Sequence, residues 1–98
     1  MDRREALESL KEHSDAVRGM GATGLYLFGS VARDEPTPDS DLDIFIDHEA
    51  GSHFSLLDLV AIKQFLEDKL DVEVDVTTRD SLHPMLKADI EQNAIRVF

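Results

Sequence analysis

A glycine turn, ten residues, and then a pair of aspartates set what this chain can fold into. Leu25-Tyr26-Leu27-Phe28 is a short apolar and aromatic run that reads as a buried strand. It breaks at Gly29, where a residue without Cβ lets the backbone turn sharply and approach a ligand closely. Ser30 is placed to cap a short helix, and exposed N–H groups at a helix start attract phosphate. By itself a Gly-Ser after a strand is ordinary turn chemistry. The acidic strand that follows is the stronger half.

Asp41-Leu42-Asp43-Ile44-Phe45-Ile46-Asp47 alternates with the period of a half-buried strand. Leu42, Ile44 and Ile46 face the core. Asp41 and Asp43 share the other face, their Cβ atoms roughly 6–7 Å apart given the strand rise. Such carboxylates repel and raise one another's pKa unless a cation lies between them. Hard oxygen donors of this kind suit Mg²⁺, which takes one or two carboxylates and fills its shell with water and phosphate oxygens. The competing reading is a solvated edge-strand face whose charge prevents aggregation.

A third carboxylate shifts that balance. Leu70-Asp71-Val72-Glu73-Val74-Asp75-Val76-Thr77 is a second period-two segment, with Val72, Val74 and Val76 inward and Asp71, Glu73 and Asp75 on the opposite face. If the two strands are neighbours, Asp75 completes a three-carboxylate cluster. Phosphoryl-transfer sites use such clusters to hold two metals about 3.5–4 Å apart. Glu73 is the rival, and periodicity does not separate the two. A calcium loop beginning at Asp39 is excluded, because its sixth and twelfth positions need Gly and Glu and here are Ile44 and Ala50.

Gly29-Ser30-Val31-Ala32-Arg33 followed by Ser40-Asp41-Leu42-Asp43-Ile44 resembles the signature of the DNA polymerase β-like nucleotidyltransferase superfamily. The chain's size and the later Val74-Asp75-Val76-Thr77 are similar to its minimal branch, the MNT-domain proteins, over nearly the whole length. The resemblance implies an α/β (α+β) palm-like domain, a mixed sheet flanked by helices, that transfers a nucleoside monophosphate to an acceptor hydroxyl. It implies that Gly29 and Ser30 hold the triphosphate and that Asp41 and Asp43 ligate Mg²⁺, two ions being expected. Asp75 becomes the third ligand and possible base, in preference to Glu73. Arg33, one turn after Ser30, either reaches phosphate oxygens or forms a surface ion pair with Asp34 or Glu35; the family's Gly-Ser-x-x-Arg pattern tilts it to phosphate.

In the MNT branch the usual partner is a helical HEPN-domain protein, often an RNase toxin. The resemblance thus implies a hetero-oligomeric antitoxin that attaches AMP from ATP to its toxin, commonly at a tyrosine. The added bulk and negative charge would lie where the RNase must receive RNA phosphates. The helical domain that closes larger members of the superfamily over their ligands is not expected here; so open a site is expected to bind nucleotide weakly, which also implies a second protein. A binding-only antitoxin, and transfer to a small cationic acceptor, are the alternatives.

Composition sets outer limits. Ninety-eight residues, 42% of them hydrophobic, suffice for one compact domain spanning residues 1–98. Ten Lys and Arg among twenty-one Asp and Glu give a net charge of −11, which argues against gripping a nucleic-acid backbone. The absence of cysteine fits a cytoplasmic setting. Met1-Asp2-Arg3-Arg4-Glu5 has no apolar run behind it, so neither a signal peptide nor a membrane span is expected.

The remaining segments read as scaffold. A helix is expected over 2–18 with Leu7, Leu10, Ser14 and Val17 on one stripe, ended by Gly19-Met20-Gly21. Asp34 to Ser40, with Pro36 and Pro38, is a spacing loop. Ser55 caps a helix from Leu56 to about Leu70, whose apolar surface is wider than one core-facing stripe and hints at a partner. Pro84 opens a last helix to about Gln92, and Ile95 to Phe98 forms a short strand. His13, His48, His53 and His83 lack metal-ligand spacing; His48 and His53 flank the loop after the acidic strand and read as solvent-exposed.

Overall fold

The computed structural model describes residues 1–35 and 41–98. Pro36 to Ser40, which include most of the expected spacing loop and the serine of the second motif, lie outside them.

The expected first helix is two: α1 (Arg3–Glu12) and α2 (Ser14–Gly19). Asp2 caps α1 by accepting the Glu5 N–H at 2.8 Å. The break has a local cause. The Ser14 hydroxyl donates to the Leu10 carbonyl at 3.4 Å, a back-bond that bends helices. The His13 N–H turns to the same carbonyl at 3.2 Å in a tighter, 3₁₀-like step. Leu10, Ser14 and Val17 still share the buried side, with Ala6 beside them.

Four strands form one mixed sheet: β1 (Ala22–Phe28), β2 (Leu42–His48), β3 (Val74–Thr78) and β4 (Ile95–Arg96), in the order β3-β2-β1-β4. β1 runs antiparallel to β2 and β4, whereas β2 and β3 are parallel. A parallel pair needs a crossover, here α4 (Leu56–Leu70). Ser55 opens that helix as expected, its N–H donating to Asp58 Oδ2 at 2.8 Å. α3 is a single turn, Gly29–Ala32, and α5 spans Pro84–Asn93 after a 3₁₀ turn at Arg79–Ser81.

The register sorts the sheet into two faces. Leu25 lies opposite Ile46, Leu27 opposite Ile44, and Val74 and Val76 beside Leu42 and Ile44. These residues pack with Leu10, Val17, Ile62 and Leu66 into the main core. Tyr26, Phe28, Asp43, Phe45, Asp47, Asp75 and Thr77 take the other face. Phe45 is completely buried there, stacked on Tyr26 at 4.7 Å between ring centroids, so the middle of β2 is apolar on both faces.

β3 begins at Val74 rather than Leu70. Leu70 stays in the helix, and Asp71 adopts a left-handed conformation (φ 55°) that ends it and turns the chain toward the sheet. The apolar excess of α4 is visible at its first turn, where Leu56 and Leu57 are 73% and 80% exposed. Among the described residues no helix is long and apolar enough to cross a membrane.

Candidate active site

Asp43 and Asp75 are direct neighbours in the parallel β2–β3 register, and Asp43 lies opposite Phe28, the last residue before the glycine turn. The turn therefore meets the acidic pair at the strand ends. Gly29 has φ +79°, a conformation that favours glycine. A Cβ there would collide with the Asp43 carboxylate, falling 3.1 Å from its Cγ and closer still to Oδ2. Only a residue without a side chain lets the turn rest against the carboxylate.

The Asp43 carboxyl is held above the usual carboxylate range, first by burial and then by the charges of Asp75 and Asp41, with Arg33 opposing. Asp41 is exposed and immediately precedes β2. Glu73 contributes no comparable effect on Asp43. It precedes β3, and its carbonyl accepts the Leu42 N–H at 3.0 Å. Of the two rival carboxylates, the geometry puts Asp75 and not Glu73 beside Asp43.

Ser30 does not cap α3; the N-cap position falls to Phe28, and Ser30 lies within the turn. Arg33 ends the turn, its N–H donating to the Gly29 carbonyl at 3.1 Å. Its guanidinium lies 3.6 Å from Glu35 with both side chains exposed, a contact of little energetic weight. It remains near enough to Asp43 to oppose the upward shift of that carboxyl. Asp34 pairs instead with Arg3, at 3.9 Å.

Sequence reasoning missed two supports. At the outer edge of the sheet, the Val74 N–H donates to Glu67 Oε2 at 3.0 Å and Lys63 Nζ donates to the Val74 carbonyl at 2.9 Å. Lys63 and Glu67 also pair with each other at 2.9 Å, so α4 clamps the residue next to Asp75. At the far end of β2, Arg79 donates to both Asp47 oxygens, at 2.7 and 3.0 Å, and to Glu91 on α5. Its guanidinium covers the Tyr26 and Phe45 rings. Helical spacing of Lys63 and Glu67 was a readable signal, whereas Asp47 and Arg79 are 32 residues apart. His48, partly buried, stacks on Phe54 at 5.0 Å, while His53 is exposed.

The donor set suits a hard divalent cation: carboxylates only, one of them raised by burial and like charge. As they stand, however, no three His, Cys, Asp or Glu side chains among the described residues are close enough together to hold an ion.

A turn without Cβ against paired strand-end carboxylates is an arrangement that can take a phosphorylated ligand with a cation. The chain belongs to the nucleotidyltransferase domain family, whose model matches residues 3–97. It is 49% identical over 72 residues to a Methanocaldococcus jannaschii protein provisionally named a protein adenylyltransferase, covering 74% of this chain and 75% of that one. It is 34% identical to the protein adenylyltransferase MntA of Thermococcus cleftensis, over 94% of this chain and 89% of the relative. A solved structure assigned as a minimal nucleotidyltransferase superposes with a TM-score of 0.73 at 38% identity, covering 97% and 95% of the two chains. The fold is also shared with a chain in the complex of tri-AMPylated Shewanella oneidensis HEPN toxin with MNT antitoxin (TM-score 0.67, 18% identity, 94% of this chain and 71% of that one).

Proposed function

We propose that this chain is an antitoxin that transfers AMP from ATP to a hydroxyl, a tyrosine's, of a HEPN-domain RNase and so silences it. The observation that carries the reading is the Asp43–Asp75 register pair pressed against the Gly29 turn. The names of the relatives support the transferred group, and the HEPN complex of a chain of the same fold supports the partner.

In this reading the Gly29–Ser30 backbone and Arg33 hold the triphosphate, while Asp41, Asp43 and Asp75 hold Mg²⁺. The bound cation would neutralise charge on the phosphates and on the leaving pyrophosphate. The acceptor oxygen attacks the α-phosphorus, forming one P–O bond as the bond to pyrophosphate breaks. Asp75, the exposed member of the pair, takes the hydroxyl proton. Asp43, half-buried and fixed by the sheet on both sides, sets the geometry.

The test is the intact mass of the HEPN partner after incubation with this chain, ATP and Mg²⁺, with Asp41→Asn as control. A gain of whole AMP units with the native chain alone is the expected result. No mass gain with the native chain, together with neutralisation preserved by the Asp41→Asn chain, would overturn transfer in favour of inhibition by binding, a role to which the exposed Leu56 and Leu57 would be suited.

A further inference from the structure

α5 buries none of its residues, yet it carries Leu86, more than half exposed, and Ile90 one turn on. These two, with Phe28 and Gly29, wall a cavity of about 360 Å³ whose rim is Arg33, Asp89 and Asn93. That volume falls within the range of small-molecule sites. The cavity is continuous with the proposed phosphate site, because Gly29 belongs to both and Phe28 lies opposite Asp43.

We infer that this cavity seats the base of the nucleotide, so that α5 is the base-binding wall; the inference rests on the reading of the Gly29 turn as a phosphate site. A heteroaromatic ring has two apolar faces and a polar edge. Phe28, Leu86 and Ile90 supply apolar surface for the faces. At the rim, the Asn93 amide nitrogen already donates to the Asp89 carbonyl at 2.9 Å and to Asp89 Oδ1 at 3.3 Å. With Arg33 turned to the phosphates, the side-chain polar groups left to meet a ligand edge are oxygens, the Asp89 carboxylate and Asn93 Oδ1. An oxygen rim favours a base whose edge offers an exocyclic amino group, as in adenine, over one whose single ring N–H is flanked by two carbonyls, as in uracil. The Arg79 bonds to Asp47 and Glu91 tie α5 to the sheet and keep the wall in place.

The test is a methyl-NMR titration of the full chain with Mg²⁺ and, separately, ATP, UTP and inorganic tripolyphosphate. Leu86 and Ile90 methyl signals are expected to move with ATP and not with tripolyphosphate. The Leu86→Ala/Ile90→Ala chain should bind ATP about tenfold more weakly and tripolyphosphate unchanged, from the loss of a few buried methyl contacts. Asp89→Ala should narrow the difference between ATP and UTP. Equal weakening of ATP and tripolyphosphate, or no weakening of either, overturns the base pocket while leaving the phosphate site intact. A variant that loses affinity for the HEPN partner but not for ATP overturns it in favour of an acceptor pocket. Failure of both ATP and tripolyphosphate to bind the native chain overturns the phosphate site itself, and the base pocket with it.

Discussion

β2 carries an aspartate near each end of one face, four residues apart, and the two have opposite surroundings. Asp47 meets a guanidinium that bonds both its oxygens and reaches on to Glu91. Asp43 meets other carboxylates and a glycine. At the Arg79 end the neighbours favour charge, and the pKa of Arg79 is raised, first by Asp47 and then by Glu91. At the Asp43 end, burial and like charge penalise ionisation. One end of the strand holds the fold together; the other holds an arrangement that the fold alone would not favour, the usual mark of a site awaiting a ligand.

The sharpest way to break this contrast is Asp43→Asn. Because the folded-state pKa of Asp43 lies above its unfolded value, ionisation at neutral pH costs stability, and that cost fades as pH falls through the folded pKa. The neutral amide should raise the melting temperature of the metal-free protein by a few degrees while abolishing AMP transfer. Mg²⁺ should stabilise the native chain and not the variant. Calorimetry with and without Mg²⁺, beside the mass assay, reads both signs; a variant less stable than the native chain without metal would refute the assigned strain.

Next in expected effect is Gly29→Ala. A Cβ at φ +79° pressed onto Asp43 should displace that carboxylate and cost about 1–2 kcal/mol in backbone strain. Transfer should fall on the order of a hundredfold, as expected for misplacement by about an ångström. A crystal structure of the variant, with the turn unmoved and Asp43 in place, would remove the steric argument.

Arg79→Ala tests the other end. It leaves Asp47 and Glu91 facing each other, both about a third exposed. The expected cost is about 2 kcal/mol, below the 3–5 typical of fully buried pairs, with transfer by the folded fraction reduced only several-fold. Arg79→Lys should recover part of the stability, since it restores charge but neither the paired donors nor the cover over Tyr26 and Phe45. Urea melts of the three chains decide this.

The carboxylate end was legible in the sequence because its signals are local. A period of two and a glycine break need no knowledge of the fold, and they mark Gly29 as a turn and Asp41 and Asp43 as an acidic strand face; the antiparallel register then brings the turn to Asp43. The choice of Asp75 over Glu73 needed more, since both lie on one face of a period-two run; the family resemblance preferred Asp75, and the parallel register is what sets it beside Asp43. The helix break at His13 was hidden because the apolar stripe through Leu10, Ser14 and Val17 continues across it. The late start of β3 depended on Asp71 taking a left-handed turn, which its alternating neighbours mask. The Arg79 cluster was hidden for another reason. Its members come from β1, β2, the 3₁₀ turn and α5, and no window of sequence contains them. Phe45, in a position that reads as polar by alternation, is buried by that same cluster.

The parallel pairing of β2 with β3 has a consequence for how such a molecule can fail. Asp43 and Asp75 are 32 positions apart and become neighbours only after the whole of α4 has crossed over. A slip of one residue between the strands would send Asp75 to the opposite face and bring Val74 or Val76 beside Asp43. If Asp75 acts as proposed, misregistered molecules would be silent rather than miscatalytic. Specific activity would then count the molecules whose third strand has found its partner, and the chemistry would proofread the fold.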